Sequence, residues 1–452
     1  MIVPDRGEVE SYAALAIKES LKKGASGADI LFYFGLSHSL SLRDEKPEQN
    51  NSGFSVGVGI RTLDRDGRQG VAHINTFNRS ALQQLVEWSW HNCTNLEPDP
   101  WAVLYDGKPS YAKNLELKDE KISAILPEQR QEWCAEMTHL AKKRDSRVLS
   151  VRSASWNDGE GATFYMASTG VKGWYDGSGV AAGLSLVMSD GVNMEMGGYG
   201  EDFRFLEDIS LQRIVEKAVT QTACTLGGRP LQTKHYTLVL SPEVSASLLS
   251  VIGELFCASN VHKNRSLYKG KLGKKVASPL LSLVDDGLMP RKLGTVPFDG
   301  EGVPSQRTVL MKEGIVEGYL YNLKYAQKDG VESTGNAARS ISSLPDVDIS
   351  NFYMEPGNIS SEEIFVSVQN GIYITEFLGL HTVNPVSGDF SLGIKGVSLS
   401  GGLFAQPVAG MTIAGNLLDL LNRIIFIGND LSFFGDTGGC TMVIDNVTAA
   451  GL

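Results

Sequence analysis

Residues 381–393 read His-Thr-Val-Asn-Pro-Val-Ser-Gly-Asp-Phe-Ser-Leu-Gly, an imidazole and two tight turns ahead of an alternating strand. A histidine beside a carboxylate can be tuned for proton transfer, so His381, Asn384 and Asp389 form one candidate polar site, for peptide or partner binding. Asn and Asp in such a setting serve turns first, with His381 bonding backbone. A second candidate pair is Asn336 and Arg339, just after Gly335. An amide and a guanidinium there suit a peptide carboxylate or an acidic group on a partner. Asp285 and Asp286 before Gly287, and Asp299 and Glu301 around Gly300, read first as turn formers. None of these residues is assigned a catalytic role.

Other chemistries are excluded by spacing. The seven histidines (38, 73, 91, 139, 235, 262 and 381) include no pair on one helix face. Glu254 and His262 are the nearest substitute for a metal pair, and Asn260 breaks the helix between them. No metal or cofactor is therefore expected in this chain. Gly177-Ser178-Gly179 lacks the glycine phase of a nucleophile elbow. Gly57-x-Gly59 has no third glycine at position 62, and no phosphate-binding Gly-Lys-Ser/Thr loop occurs. The net charge of −11 argues against direct nucleic-acid binding, and the short basic cluster at 269–275 reads as a solvated loop. Five scattered cysteines without a Cys-x-x-Cys pair indicate a reducing compartment. The first residues carry no charged-then-apolar signal pattern. No apolar run approaches the ~20 residues of a membrane span. A cytoplasmic protein with no membrane contact is the expectation.

The elements that must position these residues follow from periodicity. A length of 452 residues exceeds one ordinary core, and 49 glycines favour turn-rich β structure. Helical spacing over 9–23 is followed by alternating strands at 28–34, 54–62 and 71–77, then a helix opening at Ser80 with Gln83 as its capping-box partner. The same order recurs: a helix at 127–143, strands at 148–156, 162–166 and 183–196, and a helix at 206–226. From 235 the pattern becomes a strand (236–240), a helix (242–256) and glycine-punctuated β structure. Strands are expected at 309–311, 318–321, 364–368, 372–377, 396–404 and 441–447, with a buried helix at 415–425. The reading is α+β: an N-terminal α/β half of tandem helix-strands-helix units, and a large antiparallel β-rich C-terminal domain. Its boundaries are a unit at 1–95, a linker at 96–126, a central unit at 127–230 and the β-rich domain at 231–452.

Six C-terminal segments, in order, resemble the TldD/PmbA family, the so-called modulators of DNA gyrase. They are Val284-Asp285-Asp286-Gly287, residues 298–304 (Phe-Asp-Gly-Glu-Gly-Val-Pro), Ser333-Thr334-Gly335-Asn336-Ala337, the 381–393 stretch, Thr412-Ile413-Ala414-Gly415-Asn416 and Ile427-Gly428-Asn429-Asp430. The resemblance implies a cytosolic metallopeptidase assembled from two branches. The TldD-like branch carries His-Glu-x-x-x-His and a later cysteine as zinc ligands. The PmbA-like (TldE) branch lacks the motif and acts as partner. Here Ser250, Val251 and Leu255 stand where His, Glu and His would be, and Cys440 lies near the ligand cysteine's place. The implied function is a PmbA/TldE-like subunit for proteolysis of peptides or unfolded proteins, with zinc expected only in a TldD-like partner. A peptide-binding or regulatory homodimer without catalysis, and a hydrolase with a site foreign to the family, are the alternatives.

Overall fold

The computed structural model describes residues 5–452. Asp5 caps α1 (Arg6–Lys22) by accepting from the amides of Gly7 and Glu8, and Val9, Tyr12, Ala13, Ala16 and Ile17 form its buried stripe. Next come β1 (Gly27–Arg43), β2 (Lys46–Leu63), β3 (Gln69–Ile74) and α2 (Arg79–Thr94). The cap of α2 is Asn78, which accepts from the Ser80 amide at 2.9 Å; Ser80 lies inside the helix, so the expected Ser80–Gln83 capping box does not form. The second round comprises α3 (Pro127–Arg144), β4 (Val148–Ala167), β5 (Lys172–Ser189), β6 (Met194–Phe203) and α4 (Leu211–Thr225).

The strands expected at 148–156 and 162–166 are one continuous strand. The polar run Asn157-Asp158-Gly159-Glu160-Gly161 looks like a turn, but Asp158 points into the core. There it takes a bidentate ion pair from Arg130 of α3, at 2.5 and 2.7 Å. Segment 96–126 contains only a short 3-10 turn (Ile122–Ala124) and runs as a packed strap. Its Tyr111 hydroxyl donates to the Gly302 carbonyl at 2.9 Å, and its Leu115 carbonyl accepts from Arg291 at 3.0 Å.

The two rounds share one antiparallel sheet, ordered β3-β2-β1-β4-β5-β6, because β1 pairs with β4 from Asp29↔Ala167 to Leu42↔Ala154. Alternation gives this sheet two unlike faces. Phe32, Phe34, Ile60, Phe164 and Trp156 point to the face packed by the helices. The opposite face is poor in side chains: Gly35, Gly161 and Gly177 lie abreast across three strands, and Ser37, Gly159 and Gly179 form the next row. It turns toward the C-terminal part of the chain. A Cβ on Gly59 would stand 2.1 Å from the Ile341 carbonyl oxygen, so only glycine permits that approach.

In the C-terminal part, β7 (Lys234–Leu240) leads into α5 (Pro242–Leu255). The strand β7 sits in a sheet ordered 403–416, 389–400, 370–378, β7, 442–450 and 424–427, and a further pairing of 403–416 with 442–450 rolls it closed. A second six-stranded sheet runs 315–316, 307–312, 283–286, 352–354, 437–439 and 432–434. The strand expected at 364–368 is instead helix Ser361–Ser367, started by a Ser360–Glu363 capping box. The helix expected at 415–425 shrinks to Leu417–Asn422, since 403–416 and 424–427 are strands on either side. Strand 307–312 turns back through 315–316, and 318–321 is not a strand. The fold is α+β as expected, with most C-terminal pairings antiparallel and two parallel.

Candidate functional site

The helix where the resemblance places a metal motif is well formed. Ser241 caps α5 by accepting from the Val244 amide at 3.2 Å, and Pro242 fits its first turn. Ser250 is exposed and spends its hydroxyl on the Ser247 carbonyl at 2.9 Å. Val251 is half-buried, and Leu255 sits in the core. A hydroxyl and two hydrocarbons do not fit a zinc site, which takes imidazole, thiolate or carboxylate ligands. Cys440 is wholly buried, and burial pushes its thiol up to about 12, with Asp430 adding to the effect, whereas a metal ligand must be thiolate. Glu254 and His262 do not share a helix: α5 ends at Leu255 and a separate turn, Ala258–His262, follows. His262 pairs through Nε2 with Asp329 at 2.7 Å and stacks on Tyr325. Among the described residues no group of three or more His, Cys, Asp or Glu is placed to hold a metal ion.

The 381–393 stretch lies beside that helix. Its 3-10 turn, Leu380–Thr382, packs against α5. Asn384 closes the turn, its Oδ1 accepting from the amides of Val386 and Ser387 at 2.9 and 3.1 Å. Asp389 accepts from the Ser387 hydroxyl at 2.8 Å and the Asn416 amide at 3.0 Å, which hold its carboxyl below the usual range. Asn384 and Asp389 are thus turn residues. The His381 ring is exposed and is not hydrogen-bonded to Asp389; the bond from His381 to backbone that the sequence reading expects does not form either. The structure does not join the three into a proton-transfer arrangement.

Asn336 and Arg339 lie elsewhere, inside the junction between the N-terminal sheet and the C-terminal part. The Asn336 amide donates to Asp285 at 2.8 Å and to the Asp348 carbonyl at 3.1 Å, and its oxygen accepts from Thr334 at 2.7 Å. The Arg339 side chain is 0% exposed and donates through Nη1 to Asp29 at 2.6 Å. Asp29 also takes two bonds from Arg61, at 2.6 and 3.0 Å, and one from the Tyr165 hydroxyl at 3.2 Å. Arg61 reaches Glu301 at 3.2 Å, and Glu301 accepts from the Leu323 amide at 2.9 Å. Neither Asn336 nor Arg339 presents a polar group at the surface.

Sequence reasoning missed Asp29, Arg61 and Tyr165. The available signal was a lone charge within an apolar strand, as in Val58-Gly59-Ile60-Arg61-Thr62, since charges are seldom buried unpaired. Asp299 is a turn former, accepting from the amides of Glu301 and Val303, and also from Ala337. Burial, with Glu301 nearby, pushes its carboxyl up to about 7. Burial likewise raises Glu301, against the pull of Arg61, and pushes Asp285 up to about 6.

A groove of about 770 Å³ separates two sheet edges, β6 and the strand Ser432–Phe434. Tyr199, Glu201 and Phe203 line one wall, Phe433 the other, and the first turn of α5 with Glu243 lies alongside. Arg213 pairs with Glu201, and Gln221 donates to Glu243 at 3.1 Å, while burial raises the Glu243 carboxyl and lowers Lys292. The groove offers main-chain donors and acceptors along two strand ends, an arrangement suited to holding an extended chain.

Three family models match this chain: PmbA/TldA metallopeptidase domain 1 over residues 28–93, the central domain over 120–226 and the C-terminal domain over 233–451. A metalloprotease TldD homolog of Haemophilus influenzae is 29% identical, covering 89% of this chain and 85% of its own. The solved structure of a candidate modulator of a DNA gyrase from Thermotoga maritima superposes with a TM-score of 0.90 at 26% identity, covering 98% of this chain and all of that one. TldE from Thermococcus kodakarensis shares the fold, with a TM-score of 0.89 at 22% identity over 98% of this chain and all of its own. With models matching all three of its parts and likeness along nearly its whole length, this chain belongs to the PmbA/TldD metallopeptidase family.

Proposed function

We propose that this chain is the PmbA/TldE-like, non-catalytic subunit of a two-chain cytoplasmic metallopeptidase acting on peptides or unfolded proteins. The observation that carries the reading is α5, whose Ser250, Val251 and Leu255 offer no ligand where a zinc-binding relative needs two imidazoles and a carboxylate. The folding of α5 is intact, with its cap and its buried face in place. Loss of the ligands with retention of the helix is what a partner subunit needs: the surface stays and the chemistry moves to the other chain. The groove between β6 and Ser432–Phe434 gives this subunit a role in holding an extended substrate by strand addition. Among the described residues no helix is long and apolar enough to cross a membrane. The net charge of −11 gives no support for contact with DNA.

Metal analysis is the direct test. After purification without chelator and dialysis against excess zinc, the lone chain is expected to retain well under one zinc per chain. Stoichiometric zinc that survives gel filtration would overturn the reading.

A further inference from the structure

A cavity of about 400 Å³ lies between the side-chain-poor face of the N-terminal sheet and the loops at 296–300 and 337–341. Tyr33, Tyr175, Phe298 and Ile341 give it apolar walls, and Asp299 and Arg339 supply the charged groups of its lining. The guanidinium of Arg339 is used on one end only. Nη1 holds Asp29, while Nε and Nη2, buried in the wall, have no hydrogen-bond partner. Those two nitrogens form the side-on fork of the guanidinium, whose parallel N–H groups match the two oxygens of a carboxylate. A buried donor left unpaired is unfavourable, and an entering acceptor relieves that cost.

We propose that this cavity binds a carboxylate carried on an apolar body, presented by the C-terminus of a peptide, with the carboxylate seated on the free fork of Arg339. Arg61 and Arg339 face Asp29 and Glu301, two against two, and Asp299, whose carboxyl burial pushes up to about 7, is the further acid of the lining. None of these carboxylates sits on the Nε–Nη2 fork, which is left for an entering one. Shape supports a chain over a free amino acid. The cavity shares Tyr33, Thr163 and Tyr175 with an adjoining groove of about 640 Å³, floored by Gly159, Gly161, Gly177 and Gly179. The paired glycine rows on this face leave room for a second layer of backbone. The fork is closed off in the empty wall, so engagement moves the exposed Ser340 turn beside it.

The test uses the lone full-length chain and an N-terminally fluorescein-labelled heptapeptide ending in leucine, as the free acid and as the C-terminal amide, read by fluorescence anisotropy. The acid is expected to bind about tenfold or more tighter than the amide, the margin of a charge-assisted bidentate pair. Arg339→Lys keeps a positive charge against Asp29 but has no fork, and should erase the acid–amide difference. Ser340→Trp, at an exposed position on the cavity wall, should weaken the acid about tenfold with an unchanged melting temperature. Equal binding of acid and amide, no binding of either, or full binding by a folded Ser340→Trp chain would overturn the proposal. Competition by N-acetyl-leucine separates the sources. Displacement at the peptide's own concentration range supports the carboxylate site with small acids as its ligands, and displacement only at far higher concentration supports it with chain termini. Failure here leaves the partner-subunit reading intact, since that rests on α5.

Discussion

Arg61→Met is expected to lower the unfolding free energy by about 3–5 kcal/mol, the cost of removing one partner from a buried ion pair. Arg61 is 2% exposed, lies on the sheet face that meets the C-terminal part, and ties Asp29 of β1 to Glu301 across that junction. Methionine fills much of the volume but leaves Glu301 with the Leu323 amide as its remaining hydrogen bond. Asp29 keeps Arg339 and the Tyr165 hydroxyl, so the damage concentrates at the junction. Urea unfolding followed by tryptophan fluorescence measures the loss. Adding Glu301→Gln to Arg61→Met should restore part of it, because the stranded charge is then gone. A single-variant cost below about 1 kcal/mol would mean the cluster is hydrated and does not act as a lock.

The second large effect is on pH dependence. Burial pushes Asp285 up to about 6 and, with Glu301 nearby, Asp299 up to about 7, both above the ordinary aspartate value, and it also raises Glu301, Glu243 and Asp436. A carboxyl whose folded pKa is raised binds its proton more tightly in the native state. Its contribution to stability is therefore fully present below the unfolded value of about 4 and is lost as pH rises through the folded value. Carboxyls held low, such as Asp29 and Asp389, change stability only below about pH 4, outside this window. The unfolding midpoint should thus fall steadily from pH 5 to pH 8, with a summed effect on the order of a few kcal/mol. Asp299→Asn should flatten the upper half of that slope and Asp285→Asn the lower half, even though each variant loses a hydrogen bond to an N–H donor. A midpoint that rises between pH 5 and 8 would contradict the burial of these carboxyls.

Local signals in the sequence reached much of this structure. The spacing of Val9, Tyr12, Ala13 and Ala16 marks a helix because one stripe must be buried, and the alternation around Ile30 and Phe32 marks a strand for the same reason. Asn384 was legible as a turn former because its side chain accepts from the amides two and three residues on, and Asp389 because its carboxylate takes the Ser387 hydroxyl two residues back. Legibility failed where the deciding partner is remote in sequence. Residues 157–161 look like a break until Arg130 supplies the charge that lets Asp158 enter the core. Arg339 looks like a surface recognition residue until Asp29, 310 positions away, draws it inside. Segment 364–368 is apolar enough for a strand, and the capping box at Ser360 and Glu363 made it a helix. That signal was local and could have been read. At α5 the reverse held: the absent ligands were evident from residue types alone, because no packing turns serine, valine and leucine into a zinc site.

Whether the chemistry belongs to another chain is decided by reconstitution. This chain, a His-Glu-x-x-x-His relative from the same source, and an equimolar mixture are each incubated with an unfolded, fluorogenic peptide. If this chain is the non-catalytic partner, it alone should give no hydrolysis, the mixture should hydrolyse the peptide, and that activity should be lost on chelation and recovered on adding zinc. Hydrolysis by this chain alone that persists in the presence of chelator would contradict it.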